Sequence, residues 1–219
     1  EWIAGLEQDA LAGKILTDPE TGEEVSLEEA KERYEASSFE SKLMIPERVK
    51  AMCESLFNYL VASGGPEQKT IIFCARDRHA DNVAIEMNNL YASWCADNGI
   101  QRVEDYAFKC TAAGGKDYLS ELKGSTRHHF IATTVDLLTT GVDVPPVVNI
   151  VFFRYVRSPI AFYQMVGRGT RIHAPSNKLM FKVYDYTNAT RLFGHDFVLS
   201  LIHISEPTRR TPISYAVFC

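Results

Sequence analysis

Val147-Val-Asn-Ile-Val-Phe-Phe153, Ser158-Pro-Ile-Ala-Phe-Tyr-Gln-Met-Val166 and Leu179-Met-Phe-Lys-Val-Tyr-Asp-Tyr186 follow one another along the chain. They read as an apolar run, a helical stretch entered through Ser-Pro, and a second apolar run. Short apolar runs of this kind suit strands buried on both faces, and a helix between two of them is the crossover that a parallel pair requires. The same alternation extends upstream. Thr70-Ile-Ile-Phe-Cys-Ala75 is a strand candidate, and Asp77 to about Ala96 is helical, with Val83, Ile85, Met87, Leu90 and Trp94 at its apolar positions. Val103-Glu-Asp-Tyr-Ala-Phe108 and His128-His-Phe-Ile-Ala-Thr-Thr134 are further strands, with a short helix over 117–123 between them. Strands alternating with helices predict an α/β domain with a doubly wound parallel sheet and helices on both faces. In such a sheet ligands are expected in the loops at the carboxyl ends of the strands.

Before this unit, Pro46 opens a helix with Val49, Met52, Cys53, Leu56 and Leu60 at helical spacing, closed by Ser63-Gly-Gly-Pro66. Residues 1–45 read as a small acidic connector. Asp18-Pro-Glu-Thr-Gly-Glu-Glu24 is a turn signal for a hairpin, and Ser26-Leu-Glu-Glu-Ala-Lys-Glu-Arg-Tyr-Glu35 reads as a capped, charge-rich helix. The last stretch does not read as natural sequence. Leu199-Ser-Leu-Ile-His-Ile-Ser-Glu-Pro-Thr-Arg209 and Ile213-Ser-Tyr-Ala-Val-Phe-Cys219 resemble translated sequencing adaptors, with a barcode between them. The expected division is therefore 1–45 connector, 46–198 domain and 199–219 non-native tail.

Formal net charge is −5 over 219 residues, but it is unevenly spread. Residues 1–45 hold 12 acidic and 4 basic side chains, and 46–198 hold 15 and 17. The α/β part is thus mildly basic, and the overall acidity does not exclude a DNA partner. No run of eighteen apolar residues marks a membrane span, and no basic-apolar leader opens the chain. Cys53, Cys74, Cys95, Cys110 and Cys219 form no C-x-x-C pair, which suggests neither a zinc site nor a disulfide framework. Reduced, buried cysteines in a cytoplasmic protein are expected, with no metal ligand set.

Two loops carry the chemistry. Thr139-Thr-Gly-Val-Asp-Val-Pro145 follows the third strand. Gly141 allows close backbone approach, Asp143 can accept from a ribose hydroxyl or brace an arginine, and Pro145 stops the turn from becoming helix. An ordinary loop with a capping aspartate would look the same in isolation. Gln164-Met-Val-Gly167-Arg168-Gly-Thr-Arg171 places two arginines three apart, read here as the start of a helix with both guanidiniums to one side. Planar, permanently charged forks suit the charge on a transferring phosphoryl group. His128 and His129 lack partners at metal-ligand spacing. Thr111-Ala-Ala-Gly-Gly-Lys116 lacks the spacing of a phosphate loop.

Together these two loops resemble motifs V and VI of superfamily 2 helicases and translocases, which lie on the second of two RecA-like motor domains. The resemblance implies roles residue by residue. Arg168 and Arg171 would reach the γ-phosphate of ATP held by a first motor domain, and Gln164 and Gly167, with Gly141 and Asp143, would line the nucleotide. Thr133 and Thr134, and Arg76 in the loop of motif IV, would touch the DNA backbone. Phe39-Glu-Ser-Lys-Leu-Met-Ile-Pro-Glu-Arg48, Leu137 to Pro145, Val151 to Pro159, Phe162 to Ile172 and Tyr184 to Phe193 are similar to the restriction subunits of type I restriction–modification enzymes. That family implies an ATP-dependent double-stranded DNA translocase and endonuclease working with methylase and specificity subunits. The rival expectations are another superfamily 2 motor, from repair or type III restriction, and a non-catalytic nucleic-acid-binding module. The chain has no Walker A loop, acidic magnesium motif or nuclease cluster. ATP and Mg²⁺ are therefore expected on the missing first domain, and the fragment alone is expected to be inactive.

Overall fold

The computed structural model describes residues 15–17, 24, 26, 45–110, 122–124, 128–135, 144–156, 158–190, 200–202 and 214–218. Helix α1 spans Pro46–Ala62 and buries Val49, Met52, Cys53, Leu56, Phe57 and Leu60, a single stripe at three- and four-residue spacing. Its end is capped from outside. Gln68 Nε2 donates to the carbonyls of Leu60 and Gly65, both at 2.8 Å. Helix α2, Asp77–Asn98, ends at Gly99, whose φ of 64° is the left-handed terminator that favours glycine. Its buried face is His79, Ala80, Val83, Ala84, Met87, Tyr91 and Cys95. Ile85, expected on that face, lies 58 % exposed, because the stripe runs through Ala84 and Met87 instead.

The strands are β1 Thr70–Phe73, β2 Ala107–Lys109, β3 Ile131–Thr134, β4 Asn149–Phe152 and β5 Phe181–Asp185. They lie in the order β2-β3-β1-β4-β5, all parallel, with Thr70 level with Ile131 and Asn149. This is the expected RecA-like parallel sheet. Two strands are shorter than the apolar runs suggested. Asp105 and His129 both take positive φ, 54° each, so β2 and β3 cannot begin until the chain has left those turns. Of the predicted 117–123 helix, only Leu122 and Lys123 are described, in a helical turn with Gly124. In the connector, Thr17 and Glu24 form an antiparallel bridge across the predicted turn. The Ser26–Glu35 helix lies outside the described residues.

Alternation along each strand divides the core into two layers. Ile72, Ile131, Val151 and Tyr184 face α1 and α2, and Tyr91 and Tyr106 stack there with centroids 4.0 Å apart. Ile71, Phe73, Ala132, Ile150, Phe152, Phe181 and Val183 face the other way. They are covered by helix α3, Pro159–Val166, through Phe162, Met165 and Val166, and by Val144 and Val147. The cysteines divide too. Cys53, Cys74 and Cys95 lie in the first layer and Cys110 in the second, all four buried and unoxidised.

Two segments of the tail expected to be non-native take strand form. β6, Ser200–Ile202, and β7, Ser214–Phe218, continue the sheet antiparallel beyond β5. An open sheet edge offers unspent N–H and C=O groups to any strand-prone segment. Ser214-Tyr-Ala-Val-Phe218 can pair there whatever its origin. Among the described residues no helix is long and apolar enough to cross a membrane.

Candidate nucleotide and nucleic-acid site

The described candidate residues fall into two groups at opposite edges of the sheet. β1, β3 and β4 end together, with Phe73 level with Thr134 and Phe152. Arg76 lies just past this carboxyl edge, exposed, as the extended residue before α2. Cys74, Ala75 and Arg76 are held by their neighbours. The Cys74 amide donates to the Thr134 carbonyl at 2.7 Å, and the Ala75 amide donates to His79 Nδ1 at 3.2 Å. Burial pushes the His79 imidazole down to about 3, with the nearby Arg48 charge adding to the effect. It is therefore a neutral acceptor at ordinary pH.

Thr133 and Thr134 are completely buried. The Thr133 hydroxyl donates to the carbonyl of Ala80 at 2.9 Å, with the Phe108 carbonyl at 3.3 Å. Its side chain pins β3 to α2 and is not presented to a phosphate chain. β3 is an interior strand, with covered faces at Thr133 and Thr134.

The arginine motif lies elsewhere. α3 begins over the carboxyl end of β4, where Phe162 stacks on Phe152 at 5.5 Å. It runs back across the sheet, so the turn that follows reaches the first residue of β5. A Cβ built on Gly169 would lie closer than 3.0 Å to three atoms of the Phe181 ring. Arg168 and Arg171 thus sit just beyond the end of a helix, not at the start of one, and at the amino side of the sheet. The return direction of the crossover helix sets their edge of the sheet, and the end of α3 at Val166 leaves both outside a helix.

The turn is tightly bonded. The amides of Arg168, Gly169 and Thr170 donate to Met165, Val166 and Gly167 carbonyls three residues back, and Thr170 Oγ1 donates to Gly167 at 3.0 Å. A side chain on Gly167 would meet the Tyr163 carbonyl at 3.0 Å. Gln164 and Arg171 are exposed and Arg168 is half-buried. The carbonyl end of α3 favours cations beside it. Such an arrangement fixes the backbone from which the half-buried Arg168 extends, with the exposed Arg171 three residues on.

Gly141 and Asp143 lie outside the described residues. The residue after them, Val144, is buried under the same layer as α3. Four residues that sequence patterns did not single out organise this side. Arg154 Nη1 donates to the Val135 carbonyl at 2.8 Å, and Lys178 Nζ, on a residue only 4 % exposed, donates to the Pro145 carbonyl at 2.9 Å. Phe181 seats Gly169. Asp185, fully buried at the end of β5, accepts from the amides and hydroxyls of both Thr187 and Thr190 at 2.7–3.1 Å. Only Asp185 carried a readable signal, an aspartate followed by threonines at the start of a helix. Beyond the carboxyl edge, Lys109 pairs with Asp77 and Asp81 at 2.7 and 2.8 Å, bonds that raise its ammonium pKa. No group of three His, Cys, Asp or Glu among the described residues is placed to hold a metal ion.

Known proteins resemble this chain in sequence and in fold. The family described as "Helicase conserved C-terminal domain" matches residues 47–173. The chain is 40 % identical over 157 residues to the EcoKI endonuclease subunit, a type I restriction enzyme of Escherichia coli K12, covering 69 % of this chain and 13 % of that one. It is 31 % identical over 166 residues to the EcoAI endonuclease subunit of Escherichia coli, covering 74 % and 20 %. A solved fragment of an HsdR subunit of a type I restriction enzyme from Vibrio vulnificus YJ016 superposes with a TM-score of 0.59 at 36 % identity, covering 68 % and 28 %. The chain thus spans only 13 % and 20 % of the two curated relatives it matches. It belongs to the helicase conserved C-terminal domain family, as a superfamily 2 domain of the kind carried by the endonuclease subunits of type I restriction enzymes.

Proposed function

We propose that this domain is the second motor domain of an ATP-dependent double-stranded DNA translocase, the endonuclease subunit of a type I restriction–modification system. Its part is to supply Arg168 and Arg171 to an ATP site shared with a first motor domain. The observation that carries the reading is the arginine turn. Arg168 follows a helix end in a bonded turn that Gly169 seats against Phe181, and Arg171 comes three residues later. Preorganised cations of this kind stabilise transferring phosphoryl charge without reorganising at the moment of reaction.

The donor set suits phosphate oxygens. The described residues offer no phosphate loop, so ATP and Mg²⁺ are assigned mainly to the first motor domain. Gln164 and Gly167 border the nucleotide, with Gly141 and Asp143 approaching it from the neighbouring loop. Arg76, exposed at the opposite edge, is assigned to the DNA backbone, a contact that positions without reading sequence. Any contribution from Thr133 and Thr134 is through the placing of that edge, since their side chains are buried. Methylase and specificity subunits are the proposed partners, in the cytoplasm.

The test is DNA-stimulated ATP hydrolysis by the complete subunit. Arg168→Ala and Arg171→Ala should each lower turnover by about 10³-fold or more, the scale of arginine fingers. Near-normal turnover in both variants overturns the assignment. DNA binding that is indifferent to ATP would favour a non-catalytic binding module instead.

A further inference from the structure

Three consecutive residues, Cys74, Ala75 and Arg76, lead from the end of β1 to the start of α2, and each is tied at one backbone group. The Cys74 amide donates to the Thr134 carbonyl at 2.7 Å, the Ala75 amide donates to His79 Nδ1 at 3.2 Å, and the Arg76 carbonyl accepts from the Ala80 amide at 3.0 Å. The first and third are backbone pairs, which form whatever the side chains are. The second depends on one side chain. Helix α2 starts at Asp77 with no side-chain cap from Arg76, and His79, in its first turn, reaches back to the residue before Arg76. That turn is itself anchored to the sheet, because Thr133 Oγ1 donates to the Ala80 carbonyl at 2.9 Å.

We propose that His79 is a positioning residue for Arg76. Its Nδ1 sets the course of the 74–76 connection, and with it the point from which the Arg76 guanidinium extends to a DNA phosphate. This rests on the reading of Arg76 as a contact to the DNA backbone.

The chemistry favours positioning over plain packing. An imidazole that accepts at Nδ1 and is neutral carries its proton on Nε2. That Nε2 is buried and has no hydrogen-bond partner among the described residues. A buried donor without a partner is costly, and an apolar side chain in a fully buried place avoids the cost. The Ala75 amide is only partly buried, so water can satisfy it when the imidazole is gone. What water cannot do is fix the direction of the connection. A long side chain follows a displaced backbone only by ordering more of its torsions, and that ordering lowers affinity.

The experiment measures binding of the complete subunit to a DNA duplex of arbitrary sequence over a salt series, well below the thermal midpoint of every variant. Arg76→Ala should weaken binding by about tenfold at low salt and reduce the salt slope by about one phosphate contact. His79→Leu should weaken it by about threefold or more and lower the slope in the same direction. The double variant should bind no more weakly than Arg76→Ala alone, since a connection without its guanidinium has nothing left to misplace. His79→Asn, which sets an acceptor oxygen near the place of Nδ1, should bind as the wild type does. If the leucine variant does not fold, His79→Met takes its place in each comparison.

Losses that multiply in the double variant overturn the positioning role. Wild-type binding in His79→Leu, beside a weakened Arg76→Ala, overturns it too and leaves Arg76 on the DNA backbone. Binding in His79→Asn as weak as in His79→Leu also overturns it and makes the buried ring a packing element only. An unchanged salt slope in Arg76→Ala overturns the assignment of Arg76 and this inference with it.

Discussion

On one face of the sheet, α1 and α2 provide seventeen and twenty-two residues of regular helix, with apolar stripes in steady period. On the other, the eight-residue α3 shares the covering with Leu122, Val144 and Val147. The first face holds the Tyr91–Tyr106 stack and the larger aliphatic layer, and its long helices contribute no residue to the nucleotide assignment. The second carries Gln164, Gly167, Arg168 and Arg171, and the stretch with Gly141 and Asp143 leads into it at Val144. Regular helix builds the core on one side, and short connections held by individual contacts carry the proposed site on the other. Loops on a rigid scaffold are where binding and catalytic groups concentrate.

This division can be broken by measurement. Its largest expected effect is the loss of turnover in Arg168→Ala and Arg171→Ala, with the thermal midpoint unmoved. On the helical face the reverse holds. Leu56 is fully buried between α1 and the sheet, and Leu56→Ala should cost about 2–5 kcal/mol in chemical denaturation. Turnover per folded molecule should stay intact. If Leu56→Ala slowed turnover while stability held, the two faces would not be separate in role.

Gly169→Ala sharpens the contrast on the site's own side. Its new methyl group meets the buried Phe181 ring, an overpacking cost of about 1–3 kcal/mol if the ring stays in place. Turnover should fall because the arginine turn is pushed off its seat. The double variant Gly169→Ala with Phe181→Leu, which makes room, should recover part of it. A double variant no better than the single one would show that the seat does not set the arginines.

A further test is in pH. His79 is buried and held neutral, with its pKa down at about 3 in the fold against 6.5 as the ordinary value. Between those values the unfolded chain binds the extra proton and the folded one does not. The stability contribution is therefore complete above about pH 6.5 and is lost progressively as pH falls toward 3. His79→Gln, which keeps an acceptor for the Ala75 amide, should flatten the acid limb of the stability profile. An unchanged limb would place the acid sensitivity elsewhere.

Much of the fold was legible because its signals are local. Five apolar runs gave five strands, Pro46 and Ser158-Pro159 opened their helices, and Gly99 closed one. Strand lengths differed where a single backbone angle decides. Positive φ at Asp105 and His129 shortened β2 and β3, and no hydrophobic period announces a left-handed aspartate or histidine. The arginine motif was legible as chemistry but not as position. Its edge of the sheet follows from the return path of α3, which composition cannot show. The bond of Thr133 was illegible for a related reason, since a hydroxyl at a strand end looks alike whether it meets solvent or the Ala80 carbonyl. Contacts such as Lys178 to Pro145 join residues 33 apart through one flexible side chain. They leave no pattern in sequence at all.

The four buried cysteines give the molecule a built-in reporter. Burial and the carboxylates of Glu86 and Glu54 push the Cys53 thiol up, and all four sulfurs are shielded in the core. A thiol reagent can therefore mark them only when the structure opens, and the rate of marking becomes a clock for that opening. Because three of these sulfurs belong to the helical layer and Cys110 to the layer beneath α3, the clock has two hands. Cys110 running ahead of the others would time the breathing of the site itself, apart from the unfolding of the whole.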